Sequence, residues 1–226
     1  ELLKSVSTIV VLDHHRQNNE TIKNAVVSYV EPYASSTCEM VAEILQYIVD
    51  KPKLKNIEAD AMYSGILVDT DNFVIKAGVR TFEAAAFLRR AGADVTRVRK
   101  MFREDMEHCR IRTAIINKAE IYMNEFAIST FDGANVSGAT VVGAKAANAL
   151  LNIQGIRGSF VLTSLQDCIY ISARSIDELN VQVIMEKFNG GGHLTMAAAQ
   201  LKDVTLEEAK RQLEDVLQQM REDGDR

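Results

Sequence analysis

The stretch STIVVLDHHRQNN, residues 7–19, places three ionisable side chains directly after a short apolar run. Residues 8–12 are rich in β-branched side chains, and this composition predicts a buried β-strand. The strand would deliver Asp13, His14 and His15 to its carboxyl end, where α/β sheets place their binding and catalytic groups. Because unpaired charges are costly to bury, these side chains need partners, and a metal ion would supply one.

The two adjacent histidines favour a transition-metal site over a plain surface loop. Neutral imidazole is a common ligand for manganese, zinc and iron. A neighbouring carboxylate such as Asp13 can orient the ring by accepting a hydrogen bond from the ring nitrogen that does not bind the metal. Two of the four histidines of the chain lie here, directly after the predicted strand. A surface loop with two solvated histidines is the alternative interpretation.

The stretch GILVDTDNF, residues 65–73, repeats the pattern of an apolar run that ends in an acid. We interpret residues 65–68 as a strand that delivers Asp69 to its end. If this strand belongs to the same parallel sheet, Asp69 and His14 would lie on one edge of that sheet. A carboxylate with an imidazole suits Mn²⁺ or Fe²⁺ better than Ca²⁺ or Mg²⁺. Alternatively, Asp69 or Asp71 serves only as a helix cap or turn former.

The stretch NGGGHLTMAAAQ, residues 189–200, predicts an anion site. Gly190, Gly191 and Gly192 allow close approach of the backbone to a ligand, and a helix predicted after them would offer unpaired N–H groups. His193 would lie in the first turn of that helix and donate to a phosphate. A flexible loop with a capping histidine is the alternative.

One arginine could complete this second site. Arg174 stands in YISARS, near the end of a predicted strand, with serines on both sides. Arginine is the usual bidentate partner of phosphate. Taken alone, the residue is better explained as a surface arginine on a strand.

Length and composition bound the architecture. The chain has 226 residues, enough for one large domain or two small ones, and its predicted strands and helices alternate as in the α/β class. A helical pattern over residues 105–125 predicts a connector between a domain at residues 1–104 and another at residues 126–226. The three widely spaced cysteines indicate reduced thiols in a cytosolic setting. The net charge of −5 argues against a broad surface for large nucleic acids.

Five motifs together carry a resemblance to a known family. VLDHHRQNN, ASSTCEM, GILVDTDNF, SARS…NVQ and GGGHLTMAAAQ follow one another in the order seen in DHH-family phosphoesterases with a DHH-associated C-terminal domain. The chain looks most similar to the catalytic part of the membrane-bound cyclic di-AMP phosphodiesterases of Gram-positive bacteria. The resemblance implies an α/β fold: a truncated parallel-sheet DHH domain and a smaller α/β domain, joined by a connector helix.

The resemblance also implies the roles of the candidate residues. Family members hold two Mn²⁺ ions bridged by a water, and two of their ligands map onto His14 and Asp69. Asp13 would orient His14, and His15 would face the substrate phosphate. The other phosphate and the nucleotide would be held in the second domain by Gly190, Gly191, Gly192, His193 and Arg174.

The family pattern further implies a longer parent protein. Its first two metal-binding motifs would precede residue 1, so we expect this chain to be a soluble piece that is inactive alone. The parent would be a homodimer anchored at the cytoplasmic face of the cell membrane. It would hydrolyse cyclic di-AMP to linear 5′-pApA in the cleft between its two domains.

Two other functions remain open at this point. The same motifs occur in oligoribonucleases that cleave short RNA or pApA to mononucleotides. A nucleotide-binding module without catalysis would explain Arg174 and His193, and it would be indifferent to Mn²⁺.

Overall fold

A parallel pair of strands and a mixed six-stranded sheet confirm the predicted α/β fold class. The computed structural model describes residues 3, 5–15, 22–48, 53–176 and 179–222. The chain divides into two units, residues 1–103 and residues 104–226. In the part of the chain that the structure describes, no helix has both the length and the apolar character needed to cross a membrane.

The first unit combines the parallel strand pair with four helices. Its elements are β1 (Val10–Asp13), β2 (Val27–Val30), α1 (Thr37–Ile48), α2 (Asn56–Asp69), α3 (Val79–Arg90) and α4 (Val95–Met101). The burial predicted for the first strand is wrong in part. Val10 lies opposite Val27, and both side chains are more than half exposed, so one face of this strand pair is open in the described residues.

Ser36 caps the N-terminus of helix α1. The Ser36 hydroxyl accepts a hydrogen bond from the Glu39 backbone N–H at 3.0 Å, which satisfies one of the unpaired donors of the first turn. The buried Glu39 carboxylate accepts from the Ser35 hydroxyl at 2.5 Å and from the Thr81 hydroxyl at 2.6 Å. This carboxylate therefore ties α1 to α3.

The strand predicted at residues 65–68 is wrong, because these residues form the last turns of α2. Ala59, Tyr63 and Ile66 are buried at helical spacing, and this period continues through the apolar run. A Cβ atom at Gly65 would run into the Cys38 side chain. Glycine at this position therefore allows α2 to pack closely against α1.

A buried carboxylate joins α2 to α4. The Asp60 Oδ1 atom accepts from the Asp94 backbone N–H at 2.7 Å, and Asp60 Oδ2 accepts from Arg97 Nε at 2.6 Å. The hydrogen bonds from Arg97 and from Asp94 hold the pKa of Asp60 below its ordinary value of 3.8. The folded state consequently binds a proton at Asp60 less readily than the unfolded state does.

This linkage predicts an acid-sensitive contribution to stability. The contribution of Asp60 is complete above about pH 5 and is lost as the pH falls below the ordinary value and through the lowered pKa of the folded state. We expect the melting temperature of the wild-type chain to fall more steeply with acid than that of Asp60→Asn, measured by circular dichroism. Glu83→Gln, which removes an exposed carboxylate of α3, is the matched control and should follow the wild-type curve. Parallel curves for wild type and Asp60→Asn would contradict the linkage.

The second unit is built around one mixed sheet. Its elements are α5 (Met106–Asn117), β3 (Glu120–Tyr122), β4 (Phe126–Asp132), α6 (Ala139–Leu150), β5 (Gly158–Leu165), β6 (Cys168–Ser175), α7 (Val181–Glu186), β7 (Gly191–His193), β8 (Met196–Lys202) and α8 (Leu206–Glu222). The strand order is β3-β4-β5-β6-β8-β7, with β4 and β5 parallel and the other neighbours antiparallel.

Helices cover the two faces of this sheet unequally. On one face, Phe160 and Leu162 of β5 pack with Leu213 of α8 and with residues of α7. On the other face, Val161 of β5 packs with Val142 of α6 and with residues of α5. Helix α6 contacts β5 and β6 on this second face. The part of the face that β8 and β7 form therefore extends beyond α6.

Two helices predicted for this unit differ from the structure. The helix expected over residues 105–125 ends at Asn117, and residues 120–122 pair with β4 instead. The helix expected after the glycine-rich stretch is absent from the described residues, where β7 and β8 form an antiparallel pair. The run TMAAAQ has a high helix propensity. The side chains from Ala197 to Gln200 alternate between buried and exposed, as in a strand, so sheet pairing overrides this helix propensity.

Candidate functional site

The candidate metal ligands of the first unit lie close together. His14 follows β1 directly, and its Nε2 atom is 3.7 Å from Oδ2 of Asp69. Asp69 reaches this position as the last residue of α2, not as the end of a strand. The expected meeting of the two residues is thus observed, although a helix delivers the acid.

The environment of this pair favours ligation over ion pairing. Burial lowers the pKa of His14, and the charge of Asp69 opposes this shift only in part. The imidazole is therefore neutral near neutral pH, which is the form that binds metals. Two ligand atoms that each lie about 2.1 Å from the same ion are about 3 to 4 Å apart. The distance of 3.7 Å between His14 Nε2 and Asp69 Oδ2 fits such a shared ion. Among the described residues, no group of three histidine, cysteine or acidic side chains could hold a metal.

Asp13 contacts a different histidine from the expected one. Its Oδ1 atom accepts from the His15 backbone N–H at 3.0 Å and lies 2.7 Å from His15 Nδ1. These bonds lower the pKa of Asp13 and fix the ring of His15. The resemblance led us to expect that Asp13 orients His14. An aspartate side chain can accept from the backbone N–H two residues further on, and here the same carboxylate also reaches the ring of His15.

A loop with unusual backbone geometry follows Asp69. Residues 71–73 adopt φ values of 44°, 59° and 68°, a left-handed run that is strained for side chains larger than asparagine. The buried Thr70 hydroxyl donates to the Ile66 carbonyl at 2.7 Å and accepts from the Phe73 N–H at 3.0 Å. The Phe73 ring stacks on Phe82 at 5.2 Å. Thr70 and Phe73 thus hold the chain at the point where Asp69 leaves α2.

Sequence reasoning considered Asp71 as a turn former but did not predict this left-handed run. The signal was present in Asp-Thr-Asp-Asn, because asparagine and aspartate tolerate left-handed backbone and form local turns. Such residues are common in ordinary turns, so the strained run becomes visible only in the structure.

Arg174 of the second unit is held against α6. Its Nε atom donates to the side-chain oxygen of Asn148 at 2.6 Å, and Nη1 donates to the Ala173 carbonyl at 2.9 Å. Arg174 is two residues from Ser172 on β6, so both side chains lie on the same face of the sheet. These hydrogen bonds position the guanidinium group on the face of the sheet that α6 covers.

The three glycines before His193 differ in what the structure requires of them. A Cβ atom at Gly190 would run into the Ala198 carbonyl, and one at Gly192 would lie 2.6 Å from the Ala197 Cα atom. Gly191 has no atom within 4 Å of that position. His193 itself lies in β7 opposite Met196, so the predicted place in the first turn of a helix is wrong.

Two family models match most of the chain. Residues 1–66 match the N-terminal domain of the DHH family, and residues 126–222 match the DHHA1 domain. Each matched segment lies on one side of the boundary between the two structural units.

Curated relatives and a solved structure agree with these matches. The chain is 47% identical to the cyclic-di-AMP phosphodiesterase PdeA of Listeria monocytogenes, over 94% of this chain and 32% of the relative. It is 44% identical to the cyclic-di-AMP phosphodiesterase GdpP of Geobacillus thermodenitrificans, over 99% of this chain and 34% of the relative. The chain thus spans about a third of the length of these relatives.

The structural match supports the fold alone. The crystal structure of an exopolyphosphatase-related protein from Bacteroides fragilis superimposes with a TM-score of 0.81 at 21% identity, over 93% of this chain and 63% of that chain.

Proposed function

The chain belongs to the DHH family and carries a DHHA1 domain, and from this premise we propose that it is the catalytic part of a metal-dependent phosphodiesterase that hydrolyses cyclic di-AMP to 5′-pApA. The observation that carries the proposal is the pairing of His14 with Asp69 at 3.7 Å in the first unit. Relatives at 39–47% identity that are named cyclic-di-AMP phosphodiesterases support the substrate.

The residues of the first unit would divide the work of the reaction. Divalent ions bound there would lower the pKa of a water and neutralise phosphate charge. His14 Nε2 and Asp69 Oδ2 are the ligand atoms that this chain contributes. His15, whose ring Asp13 fixes, would contact the phosphate that is attacked. Thr70 and Phe73 would keep Asp69 in place by holding the strained loop after it.

The residues of the second unit would bind the rest of the substrate. Arg174, which Asn148 holds, would pair with the other phosphate through its guanidinium group. His193 and the glycines before it would line the path of the nucleotide. Binding at a distance from the reacting phosphorus would position the scissile bond, which is a large part of catalysis in phosphoryl transfer.

The complete protein would supply what this chain does not. We propose that it holds two Mn²⁺ ions, with further ligands from segments outside this chain, and that it acts as a homodimer. Anchoring at the cytoplasmic face of the cell membrane, also by segments outside this chain, belongs to the same proposal. The greater length of the curated relatives supports this division.

A hydrolysis assay tests the proposed function. Cyclic di-AMP and pApA are incubated separately with this chain and with the complete protein that its gene encodes, in Mn²⁺ and in excess EDTA. We expect the complete protein to convert cyclic di-AMP to 5′-pApA in Mn²⁺, to stop in EDTA and to recover when Mn²⁺ is restored. Chromatography of the nucleotides measures substrate and product.

The assay also separates the competing functions. Cleavage of pApA without cleavage of cyclic di-AMP would identify an oligoribonuclease-type enzyme. Nucleotide binding without cleavage of either substrate, and without dependence on Mn²⁺, would identify a binding module.

A further inference from the structure

One arginine of α3 lies among three carboxylates of the first unit. The Nε and Nη2 atoms of Arg80 donate to the two carboxylate oxygens of Glu43 on α1, both at 2.7 Å. Arg80 Nη1 lies 3.9 Å from Oε2 of Glu31, which directly follows β2, and Arg80 Nε lies 4.0 Å from Oε1 of Glu39 on α1. A single guanidinium group thus joins α3 to α1 and to the end of β2.

The burial of these acids makes the shared cation important. The side chains of Glu31, Glu39 and Glu43 are only 26%, 2% and 23% exposed. Carboxylates in such surroundings repel one another, because little water screens their charges. The guanidinium group of Arg80 offsets this repulsion, and its two parallel hydrogen bonds to Glu43 fix its orientation. Without this group, the three acidic side chains would move apart.

On one side, the arginine is connected to the strand that carries His14. The Glu31 backbone N–H donates to the Asp13 carbonyl at 2.9 Å, which extends the pairing of β1 with β2 by one bond. His14 follows Asp13 directly, so the place of its ring depends on where this bond holds the chain. The Glu31 carboxylate lies between Arg80 and the Tyr33 N–H, from which it accepts at 3.3 Å. A displaced Glu31 would therefore displace His14.

On the other side, the arginine is connected to the helix that carries Asp69. Glu43 lies on α1, and α1 packs closely on α2 where the Cys38 side chain occupies the space beside Gly65. Gly65 lies about one helical turn before Asp69 on α2. A shift of α1 would therefore move the end of α2 and change the distance of 3.7 Å between His14 Nε2 and Asp69 Oδ2.

We propose that Arg80 is a positioning residue of the candidate metal site, because it ties the strand end before His14 to the helix that packs on the carrier of Asp69. The arginine acts through the three carboxylates around it and is not itself a ligand. The identity of the metal site rests on the proposed function. Ligands held at a wrong separation bind an ion more weakly, so the loss of Arg80 lowers metal affinity.

Titration of the complete protein with Mn²⁺, without nucleotide, tests the proposal. The electron paramagnetic resonance signal of free Mn²⁺ reports how much ion is bound and requires no hydrolysis. We expect Arg80→Gln to weaken Mn²⁺ binding about tenfold, the lower end of the effect of residues that orient metal ligands. Arg80→Lys keeps a positive charge among the carboxylates and gives up the paired bonds to Glu43, so it should weaken binding less than Arg80→Gln does.

Arg97→Gln is the matched control for a purely structural effect. Arg97 lies in the same unit, its side chain is 46% exposed against 43% for Arg80, and it pairs with the buried Asp60 carboxylate at 2.6 Å. Asp60 lies more than two helical turns before Asp69 on α2. Arg97→Gln should therefore lower the melting temperature, as Arg80→Gln does, and leave Mn²⁺ binding unchanged.

The outcomes separate this positioning role from stability and from the proposed function. Wild-type Mn²⁺ binding by folded Arg80→Gln, equal losses in Arg80→Lys and Arg80→Gln, or an equal loss in Arg97→Gln would each overturn the proposal. Failure of the wild-type protein to bind Mn²⁺ would overturn both proposals. If Arg80→Gln weakens Mn²⁺ binding but the wild-type protein hydrolyses neither dinucleotide, the positioning role stands and the proposed function fails.

Discussion

Hydrolysis of cyclic di-AMP by the complete protein is expected to fall on the order of a thousandfold when His14 or Asp69 is replaced by alanine. The two side chains approach within 3.7 Å at the end of β1, and burial keeps His14 in the neutral form that binds metals. Losing either ligand would remove both the activation of water and the neutralisation of phosphate that a bound ion supplies. Steady-state rates, together with the metal content of each purified variant, measure the effect.

A third histidine of the chain provides the matched control. His108 lies in the second unit, where Nδ1 is 2.7 Å from Asp105 Oδ2 and Nε2 is 2.9 Å from the Ser137 carbonyl oxygen. His108→Ala removes an imidazole without changing the His14–Asp69 pair, so it should retain both activity and bound metal. If folded His14→Ala keeps wild-type metal content and rate, the assignment of His14 as a ligand is wrong.

The motif order predicted more of this site than the local patterns did. Strand-like composition correctly placed a strand before His14. The meeting of His14 and Asp69 was expected on a sheet edge, but a helix brings Asp69 there. The proximity of His14 and Asp69 was therefore better predicted than the elements that carry them.

The errors have a common physical cause. The run at residues 65–68 is apolar on every side, so a short window cannot separate a buried strand from the end of a buried helix. The alanines after His193 favour a helix in isolation, yet strand pairing from Gly191 to Ala198 decides their conformation. Both outcomes depend on partners outside the stretch itself, because α2 packs against α1 and β8 also pairs with β6.

Replacing the three consecutive glycines by alanine one at a time should lower the free energy of unfolding at positions 190 and 192 but not at position 191. Gly192→Ala is expected to cost about 3 kcal/mol, because its φ of 151° is strained for alanine and its Cβ atom would approach the Ala197 Cα atom at 2.6 Å. Gly190→Ala should cost about 2 kcal/mol, since its Cβ atom would lie 2.6 Å from the Ala199 Cβ atom and against the Ala198 carbonyl.

Gly191→Ala should instead leave the stability unchanged or raise it by about 0.5 kcal/mol, because it reduces the freedom of the unfolded chain at a position with open space. Urea unfolding, with hydrogen exchange of the β8 amides to report the β7–β8 pairing, measures all three variants. Equal destabilisation by the three substitutions would show that Gly191 is required by the fold. A cost at positions 190 and 192 without one at position 191 would mean that the fold requires glycine only where a Cβ atom would meet the backbone of β8.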